Sequence, residues 1–89
     1  MRILRDLCFK DIGPLTYLLY EENLRQVMKW GIQERQSFEW LAYLTEEVGE
    51  LAKAISEAEY REGPIEEVTK EAIQVATLAL KIVEMTRKP

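Results

Sequence analysis

Apolar residues recur along this chain at steps of three and four, the spacing of one face of an α-helix, and no segment stands out as a strand. Three stretches carry the helical pattern. The first is predicted from Pro14 to Trp30, with Tyr17, Tyr20, Leu24, Val27 and Met28 as its apolar stripe and Glu22, Arg25, Gln26 and Lys29 on the opposite side. Pro14 suits a first helical turn, whose N–H groups have no partner within the helix, and Gly31 tolerates the left-handed conformation that ends one. The second is predicted over 37–60. Its core stripe is Leu41, Leu44, Val48, Leu51 and Ile55, Ser37 is the expected N-cap, and Glu39 sits near the positive end of the helix dipole.

The third is predicted over 64–86, opened by Pro64, with Glu66 and Glu67 in the first turn. Its apolar residues, Val68, Ile73, Val75, Leu78 and Ile82 among them, cover more than half of its circumference. A helix apolar that far round is buried on several sides, and in a chain of 89 residues the extra cover is expected from another subunit. Within 1–12, Ile3, Leu4, Leu7 and Cys8 have helical spacing and suggest a short helix broken by Gly13-Pro14. The expected fold is therefore all-α, one domain spanning 1–89. A hairpin of the second and third helices, joined by the short loop Arg61-Glu62-Gly63-Pro64, packs with the preceding helix and assembles as a homodimer or homotetramer.

Composition narrows the function. A net charge of -4 gains nothing from phosphate attraction, which disfavours a nucleic-acid partner. No apolar run approaches the length of a membrane span, and charges spread through the first fourteen residues argue against a signal peptide, so the cytoplasm is the expected compartment. The chain has no histidine and a single cysteine, Cys8. That rules against zinc, an internal disulfide and the nucleophile–histidine pairs of acyl transfer. Carboxylates, hydroxyls, lysine and arginine remain, and carboxylates alone suit hard cations such as magnesium or manganese.

The carboxylates fall into two groups. On the second helix, Glu47 lies at the edge of the apolar stripe, with Glu50 one turn further along the same side and Glu46 beside them. Two like charges three residues apart repel, and a bound cation reverses that cost; a solvated acidic face is the alternative. On the third helix, Glu71 falls inside the apolar arc with Gln74 one turn on. A buried carboxylate needs a partner, which is either a site or a salt bridge to an arginine of the first helix. Glu50 is about ten residues before the end of its helix and Glu71 seven after Pro64, so an antiparallel pair brings the groups level. Lys53 and Lys70 lie within a turn of a cluster and are candidates for phosphate contact. Gln33 and Arg35 lie in the loop before the second helix. Trp30, Phe38 and Trp40 are candidates for stacking on a base, or for core.

The pattern E-E-x-x-E at 46–50, twenty intervening residues, then E-x-x-Q at 71–74, resembles the paired-helix signature of the MazG-like nucleoside triphosphate pyrophosphohydrolases. The stretch KWGIQ at 29–33 and the Trp-Leu ahead of EEVGE resemble a branch of that superfamily in which the ExxQVA form recurs. The resemblance covers roughly residues 21–84. It implies four-helix units and the reaction NTP + H₂O → NMP + PPi with magnesium. It makes Glu47, Glu50 and Glu71 metal ligands and gives Glu46 a supporting catalytic role. Gln74 stands where the family pattern has aspartate; its amide oxygen can ligate a cation but carries no charge. Trp30, Gln33, Lys53 and Lys70 are the expected substrate contacts. Two other readings stay open: a helical oligomerisation or regulatory module that has lost the chemistry, and an enzyme resembling phosphoribosyl-ATP pyrophosphohydrolase.

Overall fold

The computed structural model describes residues 3–87 and contains three α-helices: α1, Ile12–Trp30; α2, Ser37–Tyr60; and α3, Ile65–Thr86. No strand occurs among the described residues, and no helix there is long and apolar enough to cross a membrane. Residues 1, 2, 88 and 89, including the first two of the expected N-terminal helix, lie outside the described region.

The rest of that N-terminal segment is not helical. Asp6 Oδ1 accepts the Cys8 N–H at 2.8 Å, and Lys10 N bonds back to Leu7 O at 3.0 Å. Such local bonds compete with helix formation, and Cys8 and Phe9 both adopt positive φ, 54° and 56°. Nothing packs on the segment to favour a helix: Ile3, Leu4, Leu7 and Phe9 are all exposed. Helix α1 starts two residues earlier than expected, which leaves Gly13 and Pro14 inside its first turn, where a missing N–H costs nothing.

At the end of α1, Gly31 has φ 75° and its N–H bonds to Val27 O at 2.7 Å. The N-cap of α2 is Gln36 rather than Ser37; the Glu39 carboxylate reaches back to accept the Gln36 N–H at 3.1 Å. The α2–α3 turn is tight. Glu62 takes the positive φ, 55°, and Gly63 donates to Glu57 O at 2.9 Å. A Cβ on Gly63 would stand 3.0 Å from the Glu57 Cβ, so the turn needs glycine there for space.

Helix α3 lies between the other two. It packs along α2 and, less extensively, on α1, while α1 and α2 do not pack on each other. This arrangement rotates α1 and α2 relative to the expected stripes. The less exposed line of α2 is Trp40, Tyr43, Leu44, Glu47, Leu51, Ala54 and Ala58, which puts Glu47 within the contact line instead of at its edge. Leu41, Val48 and Ile55, expected in the core, are 51%, 46% and 42% exposed. On α1 the expected stripe is overturned further. Tyr17, Tyr20, Leu24 and Met28 are exposed, whereas Gln26, assigned to the polar face, is buried. Leu78, 8% exposed, is the one buried apolar side chain among the described residues, and none is fully buried.

Candidate functional site

The α2–α3 pairing brings Glu47 and Glu71 to the two sides of Gln74. With the amide oriented by its hydrogen-bond network, the Gln74 nitrogen donates to Glu47 Oε2 at 2.8 Å and to Glu71 Oε2 at 3.0 Å. All three side chains are half-buried. The arrangement follows from register: Glu71 and Gln74 are one turn apart on α3, and the tight Glu62-Gly63 turn sets α2 antiparallel so that Glu47 comes level with them.

Burial, reinforced by the carboxylates of Glu71, Glu50, Glu46 and Glu22, pushes the Glu47 carboxyl above its ordinary value. Ion pairs join Arg25 to Glu22, Arg35 to Glu39 and Lys70 to Glu67, and among the described residues none is seen at Glu47 or Glu71. The salt bridge from Glu71 to an arginine of α1 is therefore absent among the described residues, and the Gln74 amide is the group that lies against both carboxylates. Glu46 and Glu50 are exposed. As the side chains stand, no three carboxylate or thiol groups among the described residues converge closely enough to hold a metal ion.

The cluster opens into a cleft of about 730 Å³ bounded by all three helices and the loop between α1 and α2. Glu46, Glu47, Gln74 and Glu84 line it together with Arg25, Arg35 and Lys81, whereas Glu50 and Glu71 do not. Trp30, Trp40 and Tyr43 give it aromatic walls. Arg35 lies over the Tyr43 ring at 5.1 Å, and Lys29 over Trp30 at 4.7 Å. Of the expected substrate contacts, Trp30 and Gln33 line this cleft, and so do Arg35 and Trp40. Lys53 and Lys70 do not: both are exposed, and Lys70 faces Glu67 at 4.0 Å instead. Phe38 is 81% exposed and borders a separate shallow depression with Leu41 and Thr45.

Three groups of the cleft region were missed from sequence. Glu22 accepts from Arg25 Nε at 3.0 Å, Arg25 Nη2 at 2.7 Å and Gln26 Nε2 at 2.7 Å. The Arg25 hydrogen bonds hold the Glu22 carboxyl below its ordinary value, against the effect of burial. Gln26 in turn accepts from Lys81 Nζ at 2.5 Å, which ties α1 to α3. Burial lowers the Lys81 ammonium despite the nearby Glu22 charge. The available signal was Lys81 itself, a lone charge inside the apolar run from Leu78 to Val83 and seven residues after Gln74.

No family model, no curated protein and no solved structure matches this chain.

Proposed function

We propose that this protein is a magnesium-dependent nucleoside triphosphate pyrophosphohydrolase of the MazG-like kind, converting NTP and water to NMP and pyrophosphate. The observation that carries the reading is the convergence of Glu47, Glu71 and Gln74 across the α2–α3 seam, with Glu47 and Gln74 lining a cleft that also carries aromatic and basic residues. A raised Glu47 carboxyl crowded by four like charges is a place where a divalent cation relieves repulsion. The donor set is all oxygen, which fits magnesium or manganese. Glu47, Glu50 and Glu71 would hold the ion, and Gln74 would supply its amide oxygen in place of the N–H groups it now presents.

When bound, the metal supplies charge for the phosphate oxygens and lowers the pKa of a coordinated water. The chain's own residues do the rest. Glu46, which lines the cleft beside Glu47, would orient the attacking water. Trp30 and Trp40 offer faces for a base, and Gln33 offers hydrogen bonds beside them. The exposed apolar residues Leu41, Val48 and Ile55 of α2, with Leu80 and Val83 of α3, are covered by further copies of the chain in a dimer or tetramer. The cytoplasm is the compartment in which such an enzyme meets its substrates.

One observation favours a rival. Gln74 already satisfies Glu47 and Glu71 with neutral N–H groups, as a helical oligomerisation module without chemistry would require. A panel of nucleoside triphosphates and phosphoribosyl-ATP, incubated with magnesium and scored for pyrophosphate, separates the readings. Release from nucleoside triphosphates, lost in Glu71→Gln, supports the proposal. Preference for phosphoribosyl-ATP assigns the chain to that reaction, and no release from any substrate leaves the module.

A further inference from the structure

Gln74, Leu78, Lys81 and Met85 follow one another along α3 at steps of four, three and four, and all four line the cleft. Lys81 starts two turns beyond Gln74, roughly 10 Å at about 1.5 Å per residue. Long side chains on a helix lean toward its N-terminus, so the ammonium is carried back toward the Glu47–Glu71 cluster.

How Lys81 is held is unusual for a half-buried lysine. Its Nζ donates to the carbonyl oxygen of Gln26, a neutral acceptor, at 2.5 Å. Gln26 is itself buried and fixed at its other end by Glu22 at 2.7 Å. The Glu22 carboxylate is engaged by both Arg25 nitrogens and by Gln26, and Lys81 makes no ion pair within 4.0 Å among the described residues. An ammonium has three donors, of which Gln26 takes one. Arg25, Arg35 and Lys81 bring positive charge to the cleft lining beside Glu46, Glu47 and Glu84, and of the three cations Lys81 alone has no carboxylate partner within 4.0 Å among the described residues. A half-buried charge without a direct ion pair costs free energy that an incoming anion recovers.

We infer that Lys81 binds the anionic phosphate chain of the ligand, with Gln26 holding its ammonium in the cleft. The identity of that ligand as a nucleoside triphosphate rests on the pyrophosphohydrolase reading; the cation and its buried support do not. Phosphate fits better than an extended nucleic acid because the chain carries a net charge of -4 and its cleft gathers only three cations, Arg25, Arg35 and Lys81.

The test uses the whole protein and inorganic tripolyphosphate with magnesium. Lysines are acetylated with excess N-hydroxysuccinimidyl acetate, with and without the probe, and read by mass spectrometry. Protection of Lys81 by about fivefold or more, with Lys53 and Lys70 unprotected, is expected. Lys81→Met should bind tripolyphosphate roughly tenfold more weakly by calorimetry, and Lys81→Arg should keep most of the affinity, as loss of one charge-assisted hydrogen bond implies. Equal modification of Lys81 with and without the probe overturns the inference, as does undiminished binding by Lys81→Met. Protection of Lys81 in a protein that releases no pyrophosphate sustains the anion contact and removes the hydrolase reading. Pyrophosphate release by Lys81→Met at the parental rate and KM does the reverse.

Discussion

The Gln74 side-chain nitrogen stands 2.8 Å from Oε2 of Glu47, across the seam between α3 and α2, and its second hydrogen bond runs to Glu71. One neutral amide thus spaces two carboxylates on neighbouring helices. Gln74→Asp removes both donors and adds a third negative charge. In chelator the variant should melt below the parent, because like charges in contact repel and two bonds are lost. In millimolar magnesium it should recover more than the parent gains, since cation affinity at oxygen sites follows ligand charge. Equal losses in both conditions would place Gln74 in a structural role alone.

Glu47 gives a test of opposite sign. Its carboxyl is raised by burial and then by Glu71, Glu50, Glu46 and Glu22. An acid whose folded pKa exceeds its ordinary value of 4.5 destabilises the fold when ionised. That penalty is present above the folded value and disappears as the pH falls through it toward 4.5. Glu47→Gln should therefore stabilise the protein in chelator at pH 7 and lose this advantage in mild acid. It should also abolish the rise in melting temperature with magnesium. Chemical denaturation at several pH values, with and without the metal, checks both outcomes.

Glu22 behaves conversely. Its folded pKa is lowered by Arg25 and Gln26, so its support is present above 4.5 and is lost as the pH falls through the lower folded value. Glu22→Gln should cost on the order of 1 kcal/mol at pH 7, the scale of a charge-assisted hydrogen bond in a partly buried network. Parent and variant should converge in acid, below the folded value, which denaturation curves against pH will show.

The reach of the sequence is clearest in this last group. The helix ends were legible because local chemistry sets them: Gly31 takes the positive φ, and Pro64 precedes α3. The carboxylate pair was legible because Glu71 interrupts an apolar arc. The faces of α1 and α2 were not. Periodicity finds a stripe but not which neighbour covers it, and here α3 alone packs on both helices. Gln26 was read as solvent-facing because it lies opposite the expected apolar stripe of the first helix; in the fold it is buried and accepts from Lys81, fifty-five residues away. The cap of α2 shifted by one residue because Glu39 reaches the Gln36 N–H.

Assembly is the next expectation. Leu41, Val48 and Ile55 form an exposed apolar line on α2, and Leu80 and Val83 do so on α3. These exposed residues are expected at the interface. The parent should sediment as a dimer or tetramer at micromolar concentration. Val48→Glu should shift it toward the monomer, because an unpaired charge buried in an apolar contact is costly. A parent that sediments as a monomer would remove the oligomeric part of the proposal.

The proposal as a whole turns on which bond is cleaved and which residues are needed. A nucleoside triphosphate turned over in ¹⁸O-labelled water with magnesium, followed by phosphorus NMR, reports both. The predicted result is NMP and pyrophosphate in equal amounts, with the label on the NMP phosphate or on the pyrophosphate according to the phosphorus attacked, and no turnover by Glu71→Gln. Products of NDP and orthophosphate, or turnover that survives Glu71→Gln unchanged, would contradict it.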